Sequence, residues 1–253
     1  MNKPEVSVVM PAYNCAGTIC DAIDSALLQD VDLEVIVIND CSPDHLDSVM
    51  ERYRDNPAVV YVHNERNLGA ADTRNRGVSL ARAEFIAFLD SDDCWRAGKL
   101  RKQLDQLRTS GAVLSCTARE LMTPEGEHTG RLIGVKEEIS YRELLKHNSI
   151  SCSSVLIRTE AALAFPMEHA DSHEDYITWL KVLRKYGPAA GINEPLLIYR
   201  LSTTGKSGNK LKSAKMTFRV YRYMNFGPVK SMACFCSYAL HGVGKYLLSY
   251  RKK

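Results

Sequence analysis

Three carboxylates stand within four positions of the stretch FLDSDDCW, which runs from Phe88 to Trp95. Asp90, Asp92 and Asp93 directly follow an apolar run, and their negative charges repel one another. A turn or a helix cap needs one such residue. Hard divalent cations such as Mg²⁺ and Mn²⁺, by contrast, prefer several oxygen ligands. The stretch therefore predicts either an acidic turn or a metal site, and the surrounding elements must decide.

Short apolar runs alternate with helical patterns over the first 120 residues. Strands are predicted for VSVVMPAY, LEVIVIND, AVVYVHN, EFIAFL and AVLSCTA. Helical spacing of apolar residues begins at Thr18 and recurs in DHLDSVMERY with Asp44 as N-cap, in AADTRNRGVSLARA, and in GKLRKQLDQLRTSG, which Gly111 ends. Uniformly apolar strands separated by amphipathic helices indicate an α/β fold, with a mainly parallel sheet covered by helices on both faces.

Polar residues gather where these predicted strands end. PAYN closes the first strand, NDCSPD the second and DSDD the fourth. In parallel α/β sheets, ligands bind beyond the carboxyl ends of the strands. This position favours a ligand site over a simple turn for the acidic stretch.

The middle of the chain has a different pattern. MTPEGEHTGRLIG is predicted to be a polar hairpin or loop, and SCSSVLIR a strand. Short helices are predicted for SYRELLKH and TEAALAF, and a longer amphipathic helix for SHEDYITWLKVLRKYG, which stops at Gly187.

Charge is distributed unevenly along the chain. From Pro195 to the end there are 12 Lys and Arg and no Asp or Glu, which leaves 21 of the 33 basic residues and all 30 acidic residues in the first 194 positions. In the tail, basic and aromatic residues interleave, and no uncharged run of 18 residues predicts a transmembrane helix. The pattern is typical of a helical pair at an anionic membrane interface, with packing on the body as the alternative. No recognition motif supports a nucleic-acid partner.

The cysteines and the N-terminus indicate a cytoplasmic protein. The eight cysteines form no CxxC pair of the kind that binds zinc, and we expect no disulfides. The start of the chain, MNKPEVSVVMPAYN, lacks the apolar core of a signal peptide. If the tail binds lipid, the protein would lie peripherally at the inner face of the plasma membrane.

Five segments, taken in order, resemble the family 2 glycosyltransferases, which have the GT-A fold. The segments are SVVMPAYN, VIVINDCSPD, NLGAADTRNRG, EFIAFLDSDDCW and HEDYITWLKVLRKYG, and the resemblance covers roughly Val6 to Arg200. It implies an enzyme that moves a sugar from a nucleotide diphosphate donor to an acceptor hydroxyl with inversion. The implied domains are a GT-A domain over 1–200, with a nucleotide-sugar half (1–120) and an acceptor half (121–200), and a basic helical extension over 201–253.

The resemblance also answers the question raised by the acidic stretch. It implies that Asp92 is the direct ligand of a Mn²⁺ or Mg²⁺ ion bridging the donor's diphosphate. Residues two apart in an extended segment face the same way, so Asp90 should face the same pocket, towards the ribose or a metal-bound water. Ser91 is expected to contact the nucleotide-sugar as well. Asp93 should point away, and a cap on the following helix is its other expected role.

The nucleotide itself is expected to lie across the first two strands. By the resemblance, Asp40 accepts a hydrogen bond from the base, which family habit suggests is uracil. Cys41 stands where the family has Gly. Arg74 is expected to meet the base carbonyl or a phosphate oxygen. The pocket is completed at the exit of the first strand by Pro11, Tyr13 and Asn14, with Tyr13 near the base.

The catalytic base is expected at the start of the last amphipathic helix. In a single displacement, a carboxylate must take the proton of the attacking hydroxyl, and by the resemblance this is Asp175. Glu174 and Trp179 are expected to orient the acceptor or the base. The alternative is structural, because acids are favoured in a first helical turn and Ser172 could be the cap.

The expected acceptor is a saccharide or lipid-linked saccharide in surface polysaccharide or lipopolysaccharide synthesis. The segment LSTTGKSGNK lacks the family's His, so Lys206 or Lys210 is the candidate contact to the diphosphate. A non-catalytic nucleotide-sugar-binding protein is the main alternative. A nucleotidyltransferase is disfavoured, because PAYNCAGT has one Gly and no Lys or Arg to bind phosphate.

Overall fold

The computed structural model describes residues 3–201, 210–247 and 250–251, with side chains over 3–201 and 213–240. The strands are β1 (Val6–Ala12), β2 (Leu33–Asn39), β3 (Val59–His63), β4 (Phe85–Phe88), β5 (Cys94–Trp95), β6 (Leu114–Met122), β7 (His128–Ile133), β8 (Glu138–Ile139), β9 (Leu156–Arg158), β10 (Ala189–Arg200) and β11 (Tyr250–Arg251). The helices are α1 (Ile19–Leu27), α2 (Leu46–Met50), α3 (Ala70–Leu80), α4 (Lys99–Ser110), α5 (Tyr141–Lys146), α6 (Thr159–Ala164), α7 (Glu174–Tyr186), α8 (Lys210–Tyr223) and α9 (Pro228–Leu247).

The described strands form one sheet with a parallel half and a mixed half. The order β4-β1-β2-β3 is parallel throughout, as predicted. Beyond β4, strand β9 is inserted antiparallel to both β4 and β6, and β6 then pairs with β7 and β10. The prediction of a mainly parallel sheet therefore holds for the N-terminal half, while antiparallel pairing dominates the centre.

Alternate residues of the parallel strands bury their side chains in two separate layers. On one face, Val9 of β1 packs in a core shared with α3 and α7. On the other face, Val8 and Met10 pack with α1 and α4. Gly77 allows α3 to lie close to the sheet, because a Cβ there would fall 2.4 Å from the side chain of Val9. Helices thus cover both faces, as the uniformly apolar strands predict.

Several local predictions need correction. Asp44 does not cap α2, which begins two residues later. Its carboxylate instead accepts hydrogen bonds from the backbone of Ala16 and the hydroxyl of Ser42. The predicted strand SCSSVLIR begins with a 3-10 turn, Cys152–Ser154, and only its end joins the sheet. The long strand β10 had no predicted counterpart.

The C-terminal helices pack against the body. In α8, Val220 and Tyr221 are fully buried, and the Tyr221 hydroxyl donates to the carbonyl of Leu145 at 2.9 Å. In α9, Val229 and Leu240 are largely exposed. Within the described part of the chain, no helix combines the length and apolar character needed to cross a bilayer. Lys206 lies outside the described residues, as does the side chain of Lys210.

Candidate active site

The parallel strands bring the predicted site loops to one edge of the sheet. Ala12 at the end of β1 lies beside Asn39 at the end of β2, and Asn39 lies beside His63 at the end of β3. The loop after β4 joins the same edge, since the backbone N–H of Leu89 donates to the carbonyl of Val9. The carboxyl ends thus converge as the sequence predicts, and the acidic loop begins at this edge.

Two carboxylates of the acidic loop are partly open to solvent, Asp90 and Asp92. Burial, and then the charge of Asp90, raise the pKa of Asp92 to about 6, against the opposing effects of Arg200 and Arg74. Burial is the larger cause, and the nearby charge of Asp90 adds to it; a bound cation would lower this pKa. The charges of Asp90 and Asp92 thus act on each other, and a shared ligand pocket stays a prediction.

Arg74 joins the acidic loop to the start of α7. Its guanidinium donates to Asp90 at 2.5 Å and to Glu174 at 3.4 Å, and its side chain is 9% exposed. Burial disfavours the cation, but Asp90 and Glu174 outweigh it and raise the pKa of Arg74. Arg74 thus forms an ion bridge between the two acidic motifs, and its contact with a base or a phosphate stays a prediction.

Asp175 lies half-buried in the first turn of α7. Its Oδ1 accepts a hydrogen bond from the backbone N–H of Tyr176 at 2.8 Å. Burial first, and Glu174 second, raise the pKa of Asp175, while His173 and Arg74 lower it. A half-buried carboxylate with a raised pKa is a candidate general base. The alternative cap, Ser172, donates its hydroxyl to Met216 instead of capping α7.

The donor set fits a cation held jointly with a substrate. Among the described residues, no group of three or more His, Cys, Asp or Glu side chains is arranged to hold a metal by itself. Mg²⁺ and Mn²⁺ sites that serve phosphates characteristically use one or two carboxylates and complete the shell with phosphate oxygens and water. Asp92, with Asp90 beside it, supplies carboxylate ligands of that kind.

The third aspartate of the loop has a structural role. Asp93 is 1% exposed, and its Oδ1 accepts from the backbone N–H of Arg200 at 2.9 Å. Burial, Asp92 and Asp90 raise its pKa. Asp93 thus points away from the pocket, as predicted, but it fastens the end of β10 rather than capping a helix, because β5 follows it.

Asp40 contacts the chain itself. The carboxylate is 3% exposed and accepts hydrogen bonds from the backbone N–H groups of Leu68 and Gly69, each at 2.8 Å, and from the side chain of Asn64 at 2.6 Å. These contacts fix the turn that leads into α3, which begins four residues before Arg74. Asp40 is therefore engaged within the chain, and its direct contact with a base stays a prediction.

The exit of β1 offers an open surface. Tyr13 is 51% exposed, Asn14 is exposed and Pro11 is half-buried. The Asn14 backbone N–H donates to Ser42 at 2.7 Å, which ties this loop to the turn after β2. In that turn Cys41 has φ +59°, the left-handed conformation that the family's Gly would adopt readily. Cys41 thus occupies a backbone conformation that favours glycine.

Two residues that support the acidic loop, Arg200 and Ser153, were not predicted to do so. The Arg200 Nε–H donates to the carbonyl of Asp92 at 2.9 Å. Ser153 accepts from the backbone N–H of Asp90, and the buried thiol of Cys152 lies among the charges of Arg74, Asp90, Glu174 and Asp175. The run SCSS gives no sequence signal for this, since small residues serve many roles. Arg200 matched the family pattern in the sequence, but that match did not predict a contact with the acidic loop.

Two further predicted residues have indirect roles. The carbonyl of Ser91 accepts from the Thr18 hydroxyl at 2.9 Å, which joins the acidic loop to the start of α1. Trp179 is fully buried and packs on Phe88 of β4, with ring centroids 5.8 Å apart. A fully buried indole does not touch an acceptor directly, and the orienting role of Trp179 stays a prediction. Trp179 instead seats α7 against the strand that carries the acidic loop.

Comparison with known proteins identifies the family. The family model "Glycosyl transferase family 2" matches residues 7–164. TuaG of Bacillus subtilis, named for teichuronic acid biosynthesis, is 36% identical over 97% of this chain and 98% of its own length. The chain is a family 2 glycosyltransferase. WfaP of Escherichia coli, named as a UDP-Glc:α-D-GlcNAc-diphosphoundecaprenol β-1,3-glucosyltransferase, is 30% identical to this transferase over 98% of each chain.

Solved structures agree with this transferase in fold. Staphylococcus aureus TarS, residues 1–349, in complex with UDP-GlcNAc, superposes with a TM-score of 0.71 at 19% identity, covering 91% of this chain and 70% of that one. The mannosyltransferase PcManGT from Pyrobaculum calidifontis, in complex with GDP-Man and Mn²⁺, superposes with a TM-score of 0.68 at 18% identity, covering 93% and 69%. The transferase therefore has the predicted GT-A fold.

Proposed function

We propose that this transferase moves a sugar with inversion from a UDP-sugar to a hydroxyl of a lipid-linked saccharide, in a reaction that requires Mn²⁺ or Mg²⁺. The observation that carries this proposal is the Arg74 bridge, which holds Asp90 of the metal-binding loop beside Glu174, the neighbour of the base Asp175. Donor activation and proton removal thereby occur in one site. The acidic loop and the start of α7 must lie close together if both are to act on the one glycosidic bond that forms.

The reaction is one displacement at the anomeric carbon. The acceptor oxygen forms a bond to that carbon while the bond from the carbon to the diphosphate oxygen breaks, and the nucleoside diphosphate leaves. Asp175 takes the acceptor's proton, and its raised pKa makes it a better base than an exposed carboxylate. Attack opposite to the leaving group inverts the anomeric configuration.

Asp92 is proposed to bind the cation, with Asp90 in support. The bound cation supplies electrostatic stabilisation of the charge that grows on the leaving diphosphate, worth several kcal/mol in comparable sites. The chain holds these carboxylates in place through its own contacts. Arg200 binds the carbonyl of Asp92, and Ser153 accepts from the backbone of Asp90.

Uridine is the proposed base. The named donor of WfaP is UDP-Glc, and that relative aligns over nearly the whole chain, whereas the GDP-Man complex of PcManGT is a likeness in fold. Tyr13, Asn14 and Pro11 form the proposed base surface. Asp40 serves it by fixing the neighbouring turn at Leu68 and Gly69.

The proposed acceptor is a saccharide on a polyprenyl diphosphate, used for surface polysaccharide synthesis at the cytoplasmic face of the membrane. The names of TuaG and WfaP support this choice. In the 201–253 segment, Val229, Met232 and Leu240 of α9 are 85%, 52% and 75% exposed and lie at helical spacing on one face. With no acidic residue after Pro195, this face suits an anionic bilayer surface.

The transfer is tested with UDP-glucose, Mn²⁺ and a synthetic GlcNAc-diphosphate lipid. We expect Asp175→Asn to lower kcat by roughly 10²- to 10⁴-fold, the contribution typical of a general base. Asp72→Asn is the matched control, because Asp72 is an exposed acid on α3. NMR of the product gives the anomeric configuration. A retained configuration, or full activity in Asp175→Asn, would refute the mechanism.

Membrane contact is tested by sedimentation with vesicles. Wild type should bind vesicles that contain phosphatidylglycerol at low salt and bind less as salt rises. A variant with Val229, Met232 and Leu240 changed to Ser should lose binding. Leu163→Ser, on α6, removes a comparably exposed Leu as a control. Equal binding of the triple variant would exclude α9 as the contact surface.

A further inference from the structure

The segment 167–173 leads directly into α7 and has an unusual backbone. His169 has φ +64°, in the left-handed region that residues other than Gly rarely adopt. Such a conformation persists where the surroundings hold it. Two residues before Glu174, the backbone N–H of Ser172 closes the turn by donating to the carbonyl of His169 at 2.8 Å. The position of Asp175 therefore depends on what holds this segment.

Helix α8 holds the segment from the outside. The Tyr223 hydroxyl donates to the carboxylate of Asp171, at 3.0 and 2.9 Å from its two oxygens, and the Tyr223 ring stacks on His169 with centroids 3.7 Å apart and planes within 3°. Arg219 donates to both the carbonyl and the carboxylate of Asp171, at 3.0 and 2.9 Å. Tyr223 and Arg219 of α8 thus contact His169 and Asp171 of the segment.

Helix α8 also contacts Ser172 and His173, the two residues that directly precede Glu174. The hydroxyl of Ser172, which is fully buried, donates to the carbonyl of Met216 on α8 at 2.9 Å. His173 Nε2 lies 3.3 Å from the carbonyl of Ser213, also on α8. Four of the five residues before Glu174 therefore contact one helix.

The opposite end of the segment is tied to the donor side. Asn75 of α3 exchanges two hydrogen bonds with the backbone of Met167, at 2.7 and 2.8 Å. Asn75 follows Arg74, which binds Asp90 and Glu174. The segment therefore contacts α3, which contains Arg74, at its start, and α8 over most of the rest of its length.

We propose that α8 positions the catalytic base: Tyr223 and Arg219, acting through Asp171, fix the start of α7 and hence the place of Asp175 opposite the acidic loop. This inference rests on the proposed role of Asp175. Tyr223 and Arg219 are positioning residues, since they act through the segment. A displacement of a catalytic group by about 1 Å can lower a rate by roughly 10²-fold, so loss of these contacts should reach the chemistry.

The test compares the full-length double variant Tyr223→Phe/Arg219→Met with Arg222→Met. Arg222 lies on the same helix but donates to the carbonyl of Phe226 and not to the segment. In the double variant we expect backbone hydrogen exchange over residues 172–177 to accelerate by about tenfold or more, as for lost hydrogen bonds to a charged group. Transfer from UDP-glucose to the GlcNAc-diphosphate lipid should lose roughly ten- to a hundredfold in kcat.

Two further readouts separate positioning from general damage. The affinity for UDP with Mn²⁺ and the donor KM should stay unchanged, because the hydrogen bonds of Tyr223 and Arg219 go to Asp171 and not to the acidic loop. The variant Arg219→Lys, combined with native Tyr223, should recover most of kcat, because a cation can still reach Asp171.

Two results would overturn the inference. Faster exchange with unchanged kcat would mean that α8 holds the segment without positioning the base, and unchanged exchange would mean that it does not hold the segment. If the wild type itself transfers no sugar from any UDP-sugar, the proposed function fails. The exchange data then decide by themselves whether α8 holds the start of α7.

Discussion

The acidic loop after β4 and the start of α7 both present carboxylates to the site, yet the chain holds them by different means. The acidic loop follows a parallel strand whose register with β1 places it at the sheet edge. The start of α7 follows an irregular segment that α3 and α8 hold from either side. The acidic loop is placed mainly by the register of a regular strand, with further contacts from Arg200, Ser153 and Thr18. The start of α7 is placed by the side-chain contacts of a segment that has no regular secondary structure.

Arg74 binds both regions, so its removal should give the largest effect. In Arg74→Met, Asp90 and Glu174 would lose their counter-ion, and breaking a buried pair of this kind costs roughly 3 kcal/mol or more. Both UDP binding with Mn²⁺ and transfer should fall. Urea unfolding and calorimetry measure the two losses, with exposed Arg222→Met as control. Loss of transfer alone, with stable protein and normal UDP binding, would contradict the bridge.

The pH dependence of kcat should report the start of α7. The base must be deprotonated, and its pKa is raised, so kcat should fall with decreasing pH through a midpoint above the value of about 3.9 for an exposed Asp. The charged and titratable groups around Asp175 are Glu174, His173, Arg74 and Cys152.

Glu174→Gln sharpens this prediction. The Glu174 charge raises the pKa of Asp175, so its removal should move the acid limb of the profile to lower pH. A profile of kcat against pH for both proteins measures the shift. A limb that moves to higher pH in Glu174→Gln, or no acid limb at all, would exclude Asp175 as the titrating base.

Substitution of Asp40 tests how far nucleotide binding depends on the turn at Leu68 and Gly69. Asp40→Asn keeps the shape but replaces one acceptor oxygen with a donor that faces a backbone N–H, which should cost about 1–3 kcal/mol of stability. We expect a higher donor KM with a nearly normal kcat, because the turn supports the nucleotide surface. An unchanged KM in a destabilised protein would limit Asp40 to folding.

Cys41→Gly should give the smallest effect, in the opposite direction. A residue other than Gly at φ +59° pays a conformational penalty, so Gly should raise the free energy of unfolding by up to about 1 kcal/mol. Urea denaturation measures the difference, and kcat should remain normal. A destabilised Cys41→Gly would mean that the thiol makes contacts that outweigh the strain.

The sequence predicts the donor side better than the acceptor side, for a physical reason. Each βα unit of the first 120 residues can be predicted from the local spacing of its apolar residues. Because ligands bind beyond the carboxyl ends of parallel strands, the loops of the site can then be located as well. The partners of Arg74 and Asp40 could not be predicted in this way, since they lie 16 to 100 residues away along the chain. Trp179 shows the same limit. Its position matched the family pattern, but burial against Phe88 is a property of the packed sheet and helix.

The most direct test of the account is to measure UDP affinity and single-turnover transfer in the pair Asp92→Asn and Asp175→Asn. We predict that Asp92→Asn loses the part of UDP binding that depends on Mn²⁺, whereas Asp175→Asn binds UDP with Mn²⁺ as the wild type does and fails at transfer. The two carboxylates would then do the separate tasks of holding the donor's cation and taking the acceptor's proton. Weakened UDP binding in both variants, or rapid transfer by Asp175→Asn, would contradict that division.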